Sequence, residues 1–259
     1  MTTAHTLRIA TYNIHKGVSA FGRRNRVHDL RIALATLEAD LLFLQEVQEV
    51  NARNSERFSD WPAEAQTRFL AGPDYHYVYG GNAVYEYGHH GNAILSLHPF
   101  AFAHNHDISD HRFESRGMLH AVQRVGDREL HCVNVHLGWF AQSRRRQADA
   151  LIELVRDTVP AGAPLIIAGD FNDWHNRLTL HLSAALGVRE AMVDRRLARA
   201  GMLPMLARPA RTFPALLPWL KLDRIYVRGF RVGQVEVMRG RLWAQMSDHA
   251  PLVADLIFD

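Results

Sequence analysis

The chain has 259 residues, 47% of them hydrophobic and 22% charged, and a net charge of +3. That balance belongs to an ordinary globular protein and excludes a heavily charged coat for nucleic acid. No run approaches the ~20 apolar residues that span a bilayer, the N-terminus lacks the basic and apolar regions of a signal peptide, and the single cysteine, Cys132, allows no internal disulfide. A cytoplasmic location is therefore the expectation. Only Lys16 and Lys221 are lysines, so arginine carries nearly all the positive charge.

The first strand-like run, 7–12, alternates apolar residues and closes on Asn13-Ile14-His15-Lys16-Gly17. Apolar spacing over 27–37 predicts a helix packed on the first sheet. Residues 41–46, Leu-Leu-Phe-Leu-Gln-Glu, predict a strand closing on an acid. Val78-Tyr79 and 93–97 read as strands, with Gly80, Gly81, Gly88 and Gly91 marking loops between them. His89 and His90 then belong to a loop near the site, with Tyr85 and Tyr87 lining it. Runs over 118–125 and 129–135 flank Gly126-Asp127, a hairpin signal. The second closes on Asn134-Val135-His136-Leu137-Gly138, nearly the first phrase again. A long helix is predicted over 142–159, stopped by Pro160, with Arg144-Arg145-Arg146 as its solvated start. The run from Leu165 closes on Gly169-Asp170-Phe171-Asn172. The stretch 195–220 is the least regular and holds four prolines, so it reads as an irregular loop over one end of the fold. Late strands follow over 224–227, 232–238 and 252–258.

Strands outnumber helices, and helices follow only some strands. That favours an α+β fold of two sheets packed face to face with helices outside. No linker interrupts the chain, so residues 1–259 read as one domain of two similar halves. Thirty-three residues separate Asn13 from Glu46, and 36 separate Asn134 from Asp170. A pseudo-two-fold between the halves would bring two acids, two amides and at least one histidine into one cleft.

Four islands carry chemistry: Glu46, Asp170 with Asn172, Asp223 in Leu222-Asp223-Arg224-Ile225, and Ser247-Asp248-His249. Each sits at the end of an apolar run, where an unpaired buried carboxylate is very costly. If Glu46, Asp170 and Asp248 converge, their repulsion demands a cation. An all-oxygen donor set of acids and amides suits Mg²⁺ or Mn²⁺. Mg²⁺ takes substrate phosphate oxygens as further ligands, so a phosphoester is the implied substrate. No Gly-x-Ser-x-Gly elbow, His-Glu-x-x-His helix or phosphate-binding P-loop competes with this reading. Arg224 reads as a surface or ion-pair residue.

The ordered set Asn13, Glu46, Asn134-x-His136, Gly169-Asp170-x-Asn172, Leu222-Asp223-Arg224 and Ser247-Asp248-His249 resembles the endonuclease/exonuclease/phosphatase superfamily. The resemblance spans residues 7–257. It implies a four-layer α/β/β/α sandwich of two mixed sheets and metal-dependent hydrolysis of a phosphodiester by an activated water. By resemblance, Glu46 is the principal metal ligand with Asn13 beside it, and Asp248 can contribute to the metal site. Asp170 and Asn172 position the water and the phosphate. His249 is the catalytic histidine, oriented by Asp223. His136, in a cationic form, holds the phosphate, and Arg116 resembles a phosphate-binding arginine. The chain departs from abasic-site endonucleases: Leu220-Lys221 precedes Leu222-Asp223, and Asn134-x-His136-Leu137 is atypical of that branch. Nucleic acid is the first expected substrate. A phospholipid or small phosphoester is the second, with a peripheral membrane contact through 195–220; a non-catalytic binding module is the third. No protein partner is inferable.

Overall fold

The computed structural model describes residues 6–111, 114–194 and 208–259. In chain order the strands are β1 (Thr6–Asn13), β2 (Leu41–Asn51), β3 (His76–Tyr85), β4 (Gly88–Ser96), β5 (Phe100–Asp107), β6 (Gly117–Val125), β7 (Arg128–His136), β8 (Leu165–Asp170), β9 (Arg189–Glu190), β10 (Asp223–Arg228), β11 (Phe230–Val237) and β12 (Leu252–Phe258). The described helices are α1 (Val27–Ala35), α2 (Ala52–Arg57), α3 (Gln66–Ala71), α4 (Ala141–Thr158), α5 (Thr179–Leu186) and α6 (Arg241–Met246).

The strands form two six-stranded sheets, ordered β11-β12-β1-β2-β4-β3 and β5-β6-β7-β8-β10-β9. Each sheet is mixed, with one parallel pair at its centre, β1 with β2 and β7 with β8. Strand side chains point alternately to the two faces, and here both faces are apolar. Leu7, Ile9, Leu41 and Phe43 meet Leu130, Cys132, Ile166 and Ala168 between the sheets. The opposite faces of the same strands pack on helices. Ala10, Tyr12, Leu42 and Leu44 lie with residues of α1, α3 and α6. Val133, Val135 and Ile167 lie with residues of α4 and α5. Three apolar layers between four layers of structure make the expected α/β/β/α sandwich. Among the described residues no helix is long and apolar enough to cross a membrane.

One stretch departs from the expected pattern. The glycines at 80, 81, 88 and 91 do not mark loops; β3 and β4 run through them as a long hairpin. A side chain at Gly91 would put its Cβ 1.9 Å from the Gly80 carbonyl oxygen, and one at Gly80 would meet Asn105 at 2.3 Å. These glycines permit close backbone approach inside a sheet rather than a turn. His89 and His90 are accordingly strand residues on β4.

Candidate active site

The site forms where the central strands of both sheets end. Asn13 closes β1 opposite Gln45, and His136 closes β7 opposite Asp170, the last residue of β8. Antiparallel β10 opens with Asp223 beside Asp170. One sheet edge therefore sets His136, Asp170 and Asp223 in a row. Glu46 follows Gln45 at a β-bulge between Leu44 and Val47, with φ of 55°.

Asp170 is the hub. Its Oδ2 lies 3.6 Å from His136 Nε2 and 3.6 Å from His249 Nε2. The same oxygen accepts from Asn13 Nδ2 at 3.3 Å, and that amide also donates to Glu46 Oε1 at 3.2 Å. Asp170 Oδ1 accepts the backbone N–H of Asn172 at 2.9 Å. His249 Nδ1 meets Asp223 Oδ2 at 2.9 Å, and Thr212 Oγ1 donates to that same carboxylate. The His249 ring rests against Phe213, centroids 5.0 Å apart. Ser247 ties the two sheets' ends together: its hydroxyl donates to the Asn13 carbonyl at 2.7 Å and accepts the N–H of His249 at 3.2 Å.

The two histidines beside Asp170 carry opposite charge. Burial works against a charged His249, but Asp223 and Asp170 overcome it and push its pKa up to about 10. Burial, with Arg116 beside it, pushes His136 well down. The expected cationic His136 therefore gives way to a neutral one: a second positive imidazole would add to Arg116 and His249 around one carboxylate. Burial, aided by the Asp223 charge and opposed by His249, raises Asp170 to about 6. Glu46 moves the other way. Its burial is outweighed by His136, Lys16 and the Asn13 amide, which hold it at about 2. With His136 neutral at pH 7, Lys16 is the standing cation there, its Nζ 3.5 Å from Glu46 Oε2.

Asp170, Asp223 and His249 offer ligand atoms within 4.8 Å of one another. That trio is a poor metal cage, because the imidazolium of His249 already neutralises it and a protonated ring nitrogen has no lone pair to offer. The Glu46 side fits a divalent cation better. There an ionised carboxylate and Asp170 share one neutral amide, an oxygen donor set of the kind hard cations take. Asp248 is half-buried and its Oδ1 accepts from Ser247 Oγ at 3.3 Å. Among the described residues no hydrogen bond or ion pair joins it to Glu46, and its charge acts on His249 instead. Arg116 is half-buried just before β6, with a buried Nε that has no partner. Asn172 gives its amide to the Leu137 carbonyl at 2.8 Å, which leaves its own buried Oδ1 unpaired.

Other expectations need correction. Asn134 is not in the cleft. Its Nδ2 donates to the Leu44 and Ala93 carbonyls, each at 2.8 Å, and its Oδ1 accepts from Gln45, so it clamps one sheet to the other. Arg224 is fully buried rather than on the surface, donating to the carbonyls of Asp223 and Asp173. Arg144 is buried too. It donates to the Gly138 and Trp139 carbonyls and lies 4.8 Å over the Trp174 ring, while Arg145 and Arg146 stay exposed. Of the stretch 195–220, residues 195–207 lie outside the described residues. Residues 208–220 supply Thr212 and Phe213 to the site and hydrogen-bond Asp248 and Ala250 through Ala215 and Thr212. Sequence reasoning missed Thr212, Phe213 and the pairing of Lys16. Lys16 alone carried a signal, its place in the first phrase.

Comparisons with known proteins agree with this architecture. The chain is 38% identical to protein YbhP of Escherichia coli strain K12 over 98% of both sequences. The human Nocturnin catalytic domain with bound sulfate superposes with a TM-score of 0.72 at 19% identity, covering 98% of this chain and 95% of that one. D. rerio TDP2 complexed with a single-strand DNA product superposes with a TM-score of 0.67 at 17% identity, covering 97% and 98%. The model of the Endonuclease/Exonuclease/phosphatase family matches residues 10–249. The chain belongs to the endonuclease/exonuclease/phosphatase family.

Proposed function

We propose that this protein hydrolyses phosphodiester bonds with water and that its substrate is nucleic acid. One observation carries the reading: a buried carboxylate, Asp170, held 3.6 Å from both a neutral and a charged histidine. Asp170, raised to about 6, is matched to accept a proton from the attacking water near neutral pH. His249, kept charged and oriented by Asp223, stabilises the charge that develops on the phosphoryl oxygens. Neutral His136 and the half-buried Arg116 hold the phosphate from the other side. A bound Mg²⁺ or Mn²⁺ on Glu46, with Asn13 beside it, would supply Lewis-acid neutralisation of those oxygens. The fold shared with TDP2, which was captured with a single-strand DNA product, supports nucleic acid as the substrate.

A second reading has its own observation. Leu216, Leu217 and Trp219 are 83%, 77% and 62% exposed on the segment that also delivers Phe213 to His249. Apolar side chains beside a cleft suit a lipid surface, with Trp at the polar boundary. A panel of single-stranded DNA, RNA, phospholipid vesicles and bis-p-nitrophenyl phosphate, each with Mg²⁺ and with chelator, tests both. Metal-dependent cleavage of nucleic acid is expected. Full activity in chelator would overturn the metal assignment. Hydrolysis of vesicles alone, with a blue shift of Trp219 fluorescence that Trp219→Ala removes, would replace nucleic acid with lipid.

A further inference from the structure

A cavity of about 400 Å³ opens beside Glu46, and Lys16 belongs to both: it lines the cavity and sits 3.5 Å from the Glu46 carboxylate. Two more cations, Arg53 and Arg57 from α2, line it, and no carboxylate does. Neither arginine has a carboxylate partner among the described residues. Their charge is therefore available to an anionic ligand. The aromatic wall is set in advance. The Arg53 guanidinium lies 3.8 Å over the Tyr87 ring, whose centroid is 4.5 Å from that of Tyr85. Laid flat on one ring, the guanidinium presents its other face as a plane on which a base can stack. Hydrogen bonds from Gln48 to Tyr85 and from Asn54 to Gln48 at 3.1 Å fasten this wall to α2. Asn51 fixes the start of α2 by accepting the N–H of Asn54 at 2.9 Å. Val18 is the one aliphatic side chain in the lining, so an acyl chain would find little to pack on.

We propose that this cavity is the subsite for the nucleotide next to the scissile phosphate of a single-stranded nucleic acid. Lys16 and Arg57 take the flanking phosphate, and the Arg53 plane on Tyr87 takes the base. The inference rests on the phosphodiesterase reading above and assigns it a substrate-side address. Stacking on a preordered plane tolerates any base, whereas the phosphate contacts make binding salt-dependent.

The test separates binding from chemistry. A fluorescein-labelled single-stranded oligonucleotide is titrated with protein in chelator and followed by polarisation. Arg53→Ala/Arg57→Ala should weaken binding about tenfold and lower the slope of log affinity against log salt by about 1.4, at about 0.7 per phosphate contact. Arg53→Lys/Arg57→Lys should recover the salt slope but not the full affinity, since lysine keeps charge without a stacking plane. With Mg²⁺ present, the ratio of kcat/KM on the oligonucleotide to that on bis-p-nitrophenyl phosphate should fall about tenfold, mainly through KM. Unchanged binding and slope would overturn the subsite, as would an equal loss on both substrates or a loss confined to phospholipid vesicles. If the wild-type protein cleaves neither substrate, the phosphodiesterase reading fails, and the binding titration still decides the subsite.

Discussion

The phrase Asn-x-His occurs twice at a strand end, and the two copies divide the work instead of repeating it. In the first, Asn13 reaches the site and touches Glu46 and Asp170, while His15 turns away to the Val18 carbonyl. In the second, His136 reaches the site and Asn134 is sunk between the sheets as a clamp. The cause is strand length. β1 stops at Asn13, and the chain turns through positive φ at His15 and Lys16. β7 runs on to His136, so its asparagine is still inside the sandwich. Two residues of extra strand turn a cleft amide into a core amide and bring the histidine to the edge. A repeated motif thus shows that two halves are related without showing that their residues are equivalent.

The largest expected effect lies at the centre that both phrases flank. His249→Ala should lower turnover by roughly 10²–10⁴-fold, the range for a general acid–base group. Asp223→Asn should cost less along the same path. Their losses should not multiply in the double variant, because Asp223 acts through the ring it orients; steady-state rates on bis-p-nitrophenyl phosphate measure this. A plain product would break the pair apart.

The next test sets the two asparagines against each other. Asn134→Ala strands buried carbonyls and the Gln45 amide, so it should cost about 3 kcal/mol of stability, read by urea unfolding. Asn13→Ala should cost less than 1 kcal/mol of stability while weakening Mn²⁺ binding in a calorimetric titration. Equal stability losses would show that both amides are structural.

The histidines should divide the other way. His136→Ala should reduce turnover by about 10²-fold, and His15→Ala by no more than about threefold. A comparable loss from both would restore the symmetry that the structure denies.

The smallest effect concerns pH. His131, near the start of the same β7, is hydrogen-bonded to His120 at 3.1 Å. Burial, then the His131 charge, pushes His120 down to about 4. The folded state therefore binds fewer protons than the unfolded one between about pH 6.5 and 4, so stability falls as pH falls through that window. The expected loss from His120 is about 2 kcal/mol at pH 5. His120→Phe should flatten the acid limb of the Tm–pH curve. An unchanged limb would place acid sensitivity elsewhere.

Much of this was legible in the residues. Apolar runs ending in Glu46, Asp170 and Asp223 announced strands whose last residues could not be core, and those ends do meet. What escaped had physical reasons. Gly80 and Gly91 looked like turns because close backbone approach inside a sheet leaves the same residue type as a loop. Arg224 and Arg144 looked solvated because backbone carbonyls satisfy them, and backbone partners leave no mark in sequence. Helices as short as α2 and α3 have too few turns to show a period, so the wall they build around Arg53 and Tyr87 could not be read.

The bulge that carries Glu46 has a consequence for how this site could be lost. Up to Leu44, even positions of β2 face the helices and odd ones face the other sheet, as Leu42 and Leu44 against Leu41 and Phe43 attest. Val47 is odd yet packs with the helix-facing set. Glu46 is thus a supernumerary residue that flips the parity of everything after it, and it belongs to neither face. Deleting Glu46 alone would leave both hydrophobic faces in frame. Deleting Val47 instead would drive a carboxylate into the helix-facing core. A single-codon loss could therefore silence the site and spare the fold, an easy route from an enzyme to an inert sibling.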